Sequence, residues 1–382
     1  MRSLRLILSN SRYFAPAWVF ASLNILFGTW AIYIPTVKEA LSIDKSQLGI
    51  ALFFLSFGVF TVFPAASRII NRLGVGRATW FGIMLLCITA IFPLMANSFI
   101  TLAIALFFFG ASNGFLDISM NTLVTEIEKE DKQNFMSASH GFFSLGGVIA
   151  GLGSFLIVVF GNRMLHMLLA IALVFGVNFI FHRRYKHITA APIEKESFSF
   201  RNFKPLLLLG VVSFVVMGSE GAIVDWSGLF LKEVSLAPEA IWGAGFLGFQ
   251  LMMTLGRFLG DAISARIGSV KIVALGASIA LLGYVLVLVA NTYSAIAGFA
   301  FTGLGFSVII PELFRIGGNV KGVESSQGVA FIAGTGYAGF LMAPPILGFL
   351  AESVSLNLSF TVLTASAVVI LMATLILGKA RK

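Results

Sequence analysis

Ser67-Arg68-Ile69-Ile70-Asn71-Arg72-Leu73-Gly74-Val75-Gly76-Arg77 is a basic turn set between two apolar runs, 46–66 and 77–96, and its core returns 194 residues further on as Arg266-Ile267-Gly268. Runs of about 20 apolar residues are long enough to cross a bilayer as helices. Working outward from the turn, the same alternation of apolar run and polar punctuation extends from residue 15 to residue 378. Runs at 15–37, 46–66, 77–96, 99–124, 135–160 and 163–181 precede the longest polar segment, 182–204. Runs at 205–231, 239–262, 271–290, 293–315, 326–350 and 358–378 follow it. The sequence predicts an all-α polytopic membrane protein with 12 transmembrane helices, hereafter spans 1 to 12, in two pseudo-symmetric six-helix bundles, 1–181 and 205–382, joined by a linker at 182–204.

Composition agrees. Of 382 residues, 58% are hydrophobic and 11% charged, against about a quarter charged in soluble domains, which excludes a soluble globular enzyme. At roughly 30 residues per span and loop, little chain is left for an extramembrane domain. Cys87 has no second cysteine to pair with, so neither a disulfide nor a thiolate metal site is expected. The net charge of +9 is assigned to lipid and topology rather than to nucleic acid.

Charge placement tests the span count independently. With loops assigned alternately to two sides, 22 of the 26 Lys and Arg fall on one side, leaving only Lys38, Lys45, Arg163 and Lys232 on the other. A missed or invented helix would have scrambled this bias. By the positive-inside rule both termini are cytoplasmic, and the expected location is the bacterial inner membrane. Arg2, Arg5 and Arg12 precede the first run, which ends at Ile34-Pro35 without a small-residue cleavage site, so the run is read as an uncleaved first helix. In the linker, His182-Arg183-Arg184-Tyr185-Lys186-His187 is read as a solvated segment obeying the charge rule, with an anionic-lipid contact as the alternative.

The halves repeat one another. Gly141, Gly146 and Ala150 in span 5 match Gly334, Gly339 and Ala343 in span 11 at an offset of 193, and Gly114-Phe115 in span 4 matches Gly305-Phe306 in span 10 at 191. Weak matches at nearly one offset argue for duplication, the architecture of many transporters.

With these features in place, the whole chain resembles the major facilitator superfamily: twelve helices, a 6+6 repeat and a basic loop after span 2. The superfamily's loop pattern runs Gly, three residues, Asp or Asn, Arg, any residue, Gly, then basic residues. Here Ser67 replaces the opening Gly and Asn71 takes the Asp position, so the turn geometry is kept without the acid. The second copy, Gly256-Arg257-Phe258-Leu259-Gly260-Asp261 through Arg266-Ile267-Gly268, keeps an acid at Asp261. The resemblance implies a gating role for Asn71, Arg72, Gly74 and Arg77, and for Arg257, Asp261 and Arg266. Three stretches are similar to YbjJ-type and MosC-type bacterial inner-membrane proteins, which lie near the fucose-permease-like sugar transporters. They are Gly114-Phe115-Leu116-Asp117-Ile118-Ser119-Met120-Asn121, the run from Ser139-His140-Gly141 to Gly146-Gly147, and Glu220-Gly221-Ala222-Ile223-Val224-Asp225-Trp226-Ser227.

Of the 17 acids, Asp117, Glu220, Asp225 and Glu312 fall inside predicted spans. An ionised acid near the bilayer centre costs on the order of 2.5 to 3.5 kcal/mol on insertion scales, so these four are expected to face water or a partner. Glu220, near the middle of span 7, is the first candidate for proton coupling. Asp225 lies five residues on, about 140° around the helix, and with Trp226 reads as a cavity-mouth or substrate-binding pair or as an interface anchor. Asn113, Asp117 and Asn121 recur every four residues and share one face of span 4, where they could bind substrate hydroxyls or join helices. His140, with Ser137 and Ser144 on span 5, is placed at the depth of Asp117, and the pair are candidates to relay a proton; a packing histidine is the alternative. Asn24, Gln250 and Tyr337 are further candidates to line a substrate cavity.

Pro311 is expected to kink span 10 beside Glu312, and Glu312 to pair with Arg315 three residues on as part of a cytoplasmic gate. Gly334-Thr335-Gly336-Tyr337-Ala338-Gly339 and Gly110-Ala111-Ser112-Asn113-Gly114 fit dinucleotide-binding and hydrolase expressions, but both lie inside predicted membrane helices and neither follows a strand. No cofactor and no metal site is expected.

The sequence therefore predicts a secondary active transporter of a small polar solute, sugar-like by resemblance, working by alternating access with proton symport. A proton-driven exporter of drugs or amphiphiles is the nearer alternative, disfavoured because 135–160 contains no proline for an antiporter Gly-Pro pair. A non-transporting sensor or anchor is the other; enzymatic activity is not expected. Expected partners are the solute, protons and membrane lipid, with a monomer as the working unit.

Overall fold

The computed structural model describes residues 2–156, 161–189, 204–320, 323 and 325–380. Positions 190–203 of the linker, 157–160 of predicted span 5, and Lys321, Arg381 and Lys382 lie outside them, as do the side chains of Ser67, Ser137 and Asp261. The described residues are helical with short connections, and ten of the helices are long and apolar enough to cross a membrane. Met136–Gly153, rich in Ser and carrying His140, and Ala244–Ile267, with Gln250, Thr254 and Arg257, supply the two more polar spans, 5 and 8. Each of the twelve predicted runs is thus mainly helical over its described residues.

Polar side chains at the ends set several boundaries. Asn10 accepts from the Arg12 amide at the start of Ser11–Ala40, which is span 1. Ser98 and Thr101 form a capping box at Phe99–Asp131, span 4. Asn162 and Asn291 cap Arg163–Phe181 and Thr292–Phe306, the start of spans 6 and 10. Each cap satisfies amides that the helix leaves without a carbonyl. Before span 1, Arg2–Ser9 forms a separate short helix.

Two spans are broken where single helices would have been drawn from hydropathy. Span 3 runs Val75–Thr89 and resumes as Phe92–Met95, with Pro93 in the first turn of the second piece. Span 10 runs Thr292–Phe306 and then Ile309–Gly317. Pro311 has no amide to donate to Ser307, and the expected kink is a full interruption. Span 11, Ser325–Ser353, carries Pro344 and Pro345 within one helix.

Contacts divide the chain into two compact units, Met1–Ile43 with Ile50–Glu194, and Asp44–Gly49 with Lys195–Lys382. In the first, span 1 packs on spans 5 and 6, and span 3 on span 4. In the second, Leu207–Glu233 (span 7) packs on spans 11 and 12, and Ser269–Leu288 (span 9) on span 10 and on Leu356–Ala380 (span 12). The duplication is visible in these seams. Gly146 of span 5 rests on the Ala21 backbone, and Gly339 of span 11 rests on the Phe214 backbone; both residues of the pair are offset by 193. Gly110 rests on Leu55 and Gly303 on Phe249, at offsets of 193 and 194. At each of these positions an added Cβ would overlap a carbonyl oxygen, so the small residues allow backbone to approach backbone. The two loop copies also share a conformation: Gly74 has φ +81° and Gly268 φ +88°, a region that glycine alone enters without strain.

Candidate functional site

Span 7 holds the most unusual chemistry of the second unit. Ser213, about two turns before Glu220, donates to the Ile332 carbonyl at 2.7 Å and fixes the span against span 11. Glu220 is half-buried, and its Oε1 is buried with no hydrogen-bond partner. The charge of Arg257 from span 8 acts on this carboxylate, and Glu220 in turn acts on Tyr284 of span 9. Tyr284 is fully buried, lies beside Ser219, and makes no hydrogen bond of standard geometry through its hydroxyl. Three helices thus bring an acid, a guanidinium, a phenol and a serine together in one bundle. A buried carboxylate with a cation nearby and one oxygen unsatisfied keeps an unfilled capacity for a proton or a donor.

Further along span 7, Asp225, Trp226 and Ser227 are all buried, and neither Trp226 Nε1 nor Ser227 Oγ has a partner. Trp226, at 1% exposure, is inside the unit and is not a side chain anchored at the membrane interface. Gln250 of span 8 is buried and Tyr337 of span 11 half-buried. At the end of span 10, Glu312 and Arg315 form the expected ion pair at 2.9 Å, and Arg315 also donates to Ser264 Oγ at 3.1 Å. Arg257, given a gating role by the resemblance, lies within span 8 as its predicted run implies, and its charge acts on Glu220. Arg266 is exposed at the end of the same helix.

In the first unit, Asn24 is buried on span 1 and donates to the Phe143 carbonyl of span 5 at 3.0 Å. The polar stripe of span 4 is largely turned on its own helix: Asn113 donates to the Phe109 carbonyl at 2.8 Å, and Asn121 to the Asp117 carbonyl at 2.8 Å and carboxylate at 3.2 Å. His140 stands edge-on to Phe20, ring centroids 5.0 Å apart. Asn71, Arg72 and Arg77 are exposed around the Gly74 turn.

Sequence reasoning missed three polar links in this unit. Tyr33 Oη and His166 Nδ1 are 3.0 Å apart and buried. Asn178 donates to Ser22 Oγ at 2.8 Å. Arg12 makes a two-pronged contact with Asp131, at 2.6 and 2.9 Å, and a third bond to Glu130. The available signals were the few polar residues within apolar runs 15–37 and 163–181, Ser22, Tyr33, His166 and Asn178 among them, and opposite charges at the ends of spans 1 and 4. The Glu220 cluster had one too, since Arg257 falls within the predicted run 239–262, where a charge calls for a partner.

The chain is 28% identical over 371 residues to the membrane protein MosC of Rhizobium meliloti, covering 96% of this chain and 90% of that one. It is 28% identical over 334 residues to an uncharacterized MFS-type transporter of Yersinia pestis, covering 87% and 86%. Among solved structures, the nucleoside transporter NupG superposes with a TM-score of 0.73 at 13% identity, covering 97% of this chain and 99% of that one. A bacterial homolog of the human lysosomal transporter Spinster, inward-facing and occupied, gives 0.69 at 12%, covering 96% of each. At such identities these two likenesses concern the fold. The Major Facilitator Superfamily profile matches residues 18–319, more than half the chain, and the protein belongs to that family of multi-pass membrane transporters.

Proposed function

We propose that the protein is a proton-coupled symporter of a small polar solute, working by alternating access in a bacterial inner membrane with both termini cytoplasmic. The observation that carries the coupling is Glu220, whose buried Oε1 lacks a partner while Arg257 and Tyr284 stand by from two other helices. A site that holds a charged acid by one cation and leaves an oxygen open takes up a proton without rebuilding its surroundings, and releasing it restores the attraction to Arg257. Moving a unit charge through the membrane potential supplies about 2.3 kcal/mol per 100 mV, enough to bias a binding cycle. Asn24, Asn113, Asn121, Gln250, Asp225, Trp226 and Tyr337 supply amide, acid and aromatic groups suited to hydroxylated solutes, with Asp117 and His140 as further proton carriers. The loop residues Asn71, Arg72, Gly74, Arg77, Asp261 and Arg266, with the Glu312–Arg315 pair, are assigned to gating. No covalent chemistry is involved.

Sugars, polyols and nucleosides are screened by thermal shift to find a transported solute. In proteoliposomes, Glu220→Gln is expected to abolish accumulation driven by a pH gradient while leaving counterflow of labelled solute intact. A mutant that still concentrates solute on a pH gradient removes Glu220 from the coupling role.

A further inference from the structure

We infer that the first unit carries a binding site for an anionic phospholipid, built where the turn after span 2 meets the chain leaving span 6. The amide of Gly76 donates to the Ile188 carbonyl at 3.0 Å, and a Cβ on Gly76 would overlap the Tyr185 carbonyl. A Cβ on Gly74 would lie 3.3 Å from the Thr189 methyl. Tyr185 and Ile188 are buried at 0% and 2% exposure, whereas Arg183, Arg184, Lys186 and His187 between and before them are exposed. The segment expected to be solvated is therefore pinned by two side chains, with its cations turned outward. It sits against a turn whose Arg68, Arg72 and Arg77 are exposed as well.

Six permanent cations are thus gathered at one end of the unit by folding. None of the six makes an ion pair with another described residue. Neither 50–98 nor 163–193 contains an Asp or Glu, so the helices carrying the cluster bring no acid of their own. The positive-inside rule asks each loop to be basic; it does not ask two basic loops to be packed together. Like charges within a Debye length, about 8 Å at physiological salt, repel, and an anion in their midst reverses the sign of that energy. Arginine forks match a phosphate in shape as well as charge.

What selects a lipid is the surface beside the cations. Phe179 and Ile180, in the turn of span 6 just before the basic run, are exposed at 58% and 69%. Trp80 stacks on His182 at 4.6 Å and 24°, and its ring lies 5.7 Å from Phe175. A basic rim above an exposed apolar strip fits one molecule with a phosphate at one end and acyl chains at the other. A free phosphate would use only the rim.

Trp80 makes the site readable. The full-length protein is reconstituted in nanodiscs of phosphatidylcholine containing a minority of phosphatidylglycerol, with bromine on the acyl chains of one lipid or the other. The Trp80 contribution is taken as the difference from Trp80→Phe. Brominated phosphatidylglycerol is expected to quench Trp80 several-fold more than brominated phosphatidylcholine at equal mole fraction. Each cation removed costs about fivefold in affinity, so Arg183→Gln/Arg184→Gln should abolish the preference, while Arg183→Lys/Arg184→Lys keeps most of it. With the unsubstituted protein, about 1 M salt, where the screening length falls to about 3 Å, should remove the preference, and inorganic phosphate at matched ionic strength should compete no better than chloride. Equal quenching by the two lipids, a preference unmoved by salt, or displacement by inorganic phosphate overturns the proposal.

Discussion

Replacing Arg257 by glutamine tests whether Glu220 depends on a charge from another helix. In the folded bundle the guanidinium of span 8 acts on a carboxylate whose Oε1 has no hydrogen bond. Two unit charges in contact, at about 4 Å, attract by about 4 kcal/mol at an effective dielectric constant of 20, which is the ceiling for this pair. Both side chains are half-buried, so we take about half, roughly 2 kcal/mol, as the coupling that survives solvent screening. Arg257→Gln should then cost roughly 2 to 3 kcal/mol, because it also strands a carboxylate with little solvent around it. Glu220→Gln should cost about 1 kcal/mol, since arginine's long side chain reaches water more easily. The double variant should be more stable than Arg257→Gln alone. Equilibrium unfolding in mixed detergent and dodecyl sulfate micelles, run as a double-mutant cycle, measures the interaction directly. If the two single losses add to within about 0.5 kcal/mol of the double, the two groups do not interact and the cluster is a coincidence of packing.

The glycine seams make a paired prediction: Gly339→Ala, whose Cβ would overlap the Phe214 carbonyl, should lose about 1 to 3 kcal/mol, whereas Gly334→Ala, with nothing within 4 Å, should fold at least as well as the parent; equal stability of the two in the same micelle titration contradicts the seam. Burial pushes the Tyr185 phenol above its ordinary value of 10.0, so the unfolded chain gives up this proton first as the pH rises and the folded state loses stability above about pH 10. Tyr185→Phe should remove that part of the alkaline loss and, since the buried hydroxyl has no partner, cost less than about 1 kcal/mol near neutrality; an unchanged alkaline unfolding profile counts against it.

Most of the fold could be read from the chain because a membrane span is a local property. Twenty apolar residues announce it wherever they occur, and the glycines of spans 5 and 11 announced the duplication before their seats on Ala21 and Phe214 were known. The interruption at Pro93 was not read, since a proline near a helix end is compatible with both a terminus and a break. The pair at Glu312 and Arg315 was legible because its partners lie three residues apart on one helix. Arg257 and Glu220 are 37 residues apart on different spans, and sequence alone marks each as costly without bringing the two together. Tyr185 and Ile188 were hidden for a different reason: among arginines, lysines and histidines, two apolar residues three apart look like ordinary linker composition, and only the bare backbone of Gly76 shows what they rest on.

The glycine seams of spans 1 and 5 and of spans 7 and 11 have a mechanical meaning. Where polypeptide lies directly on polypeptide, the rods meet through bare backbone, and each seam is also latched by a side chain on the facing carbonyl, Asn24 on Phe143 and Ser213 on Ile332. Duplication thus gave both halves the same joint: glycine laid on backbone, tied by a polar side chain that must let go before either rod can shift.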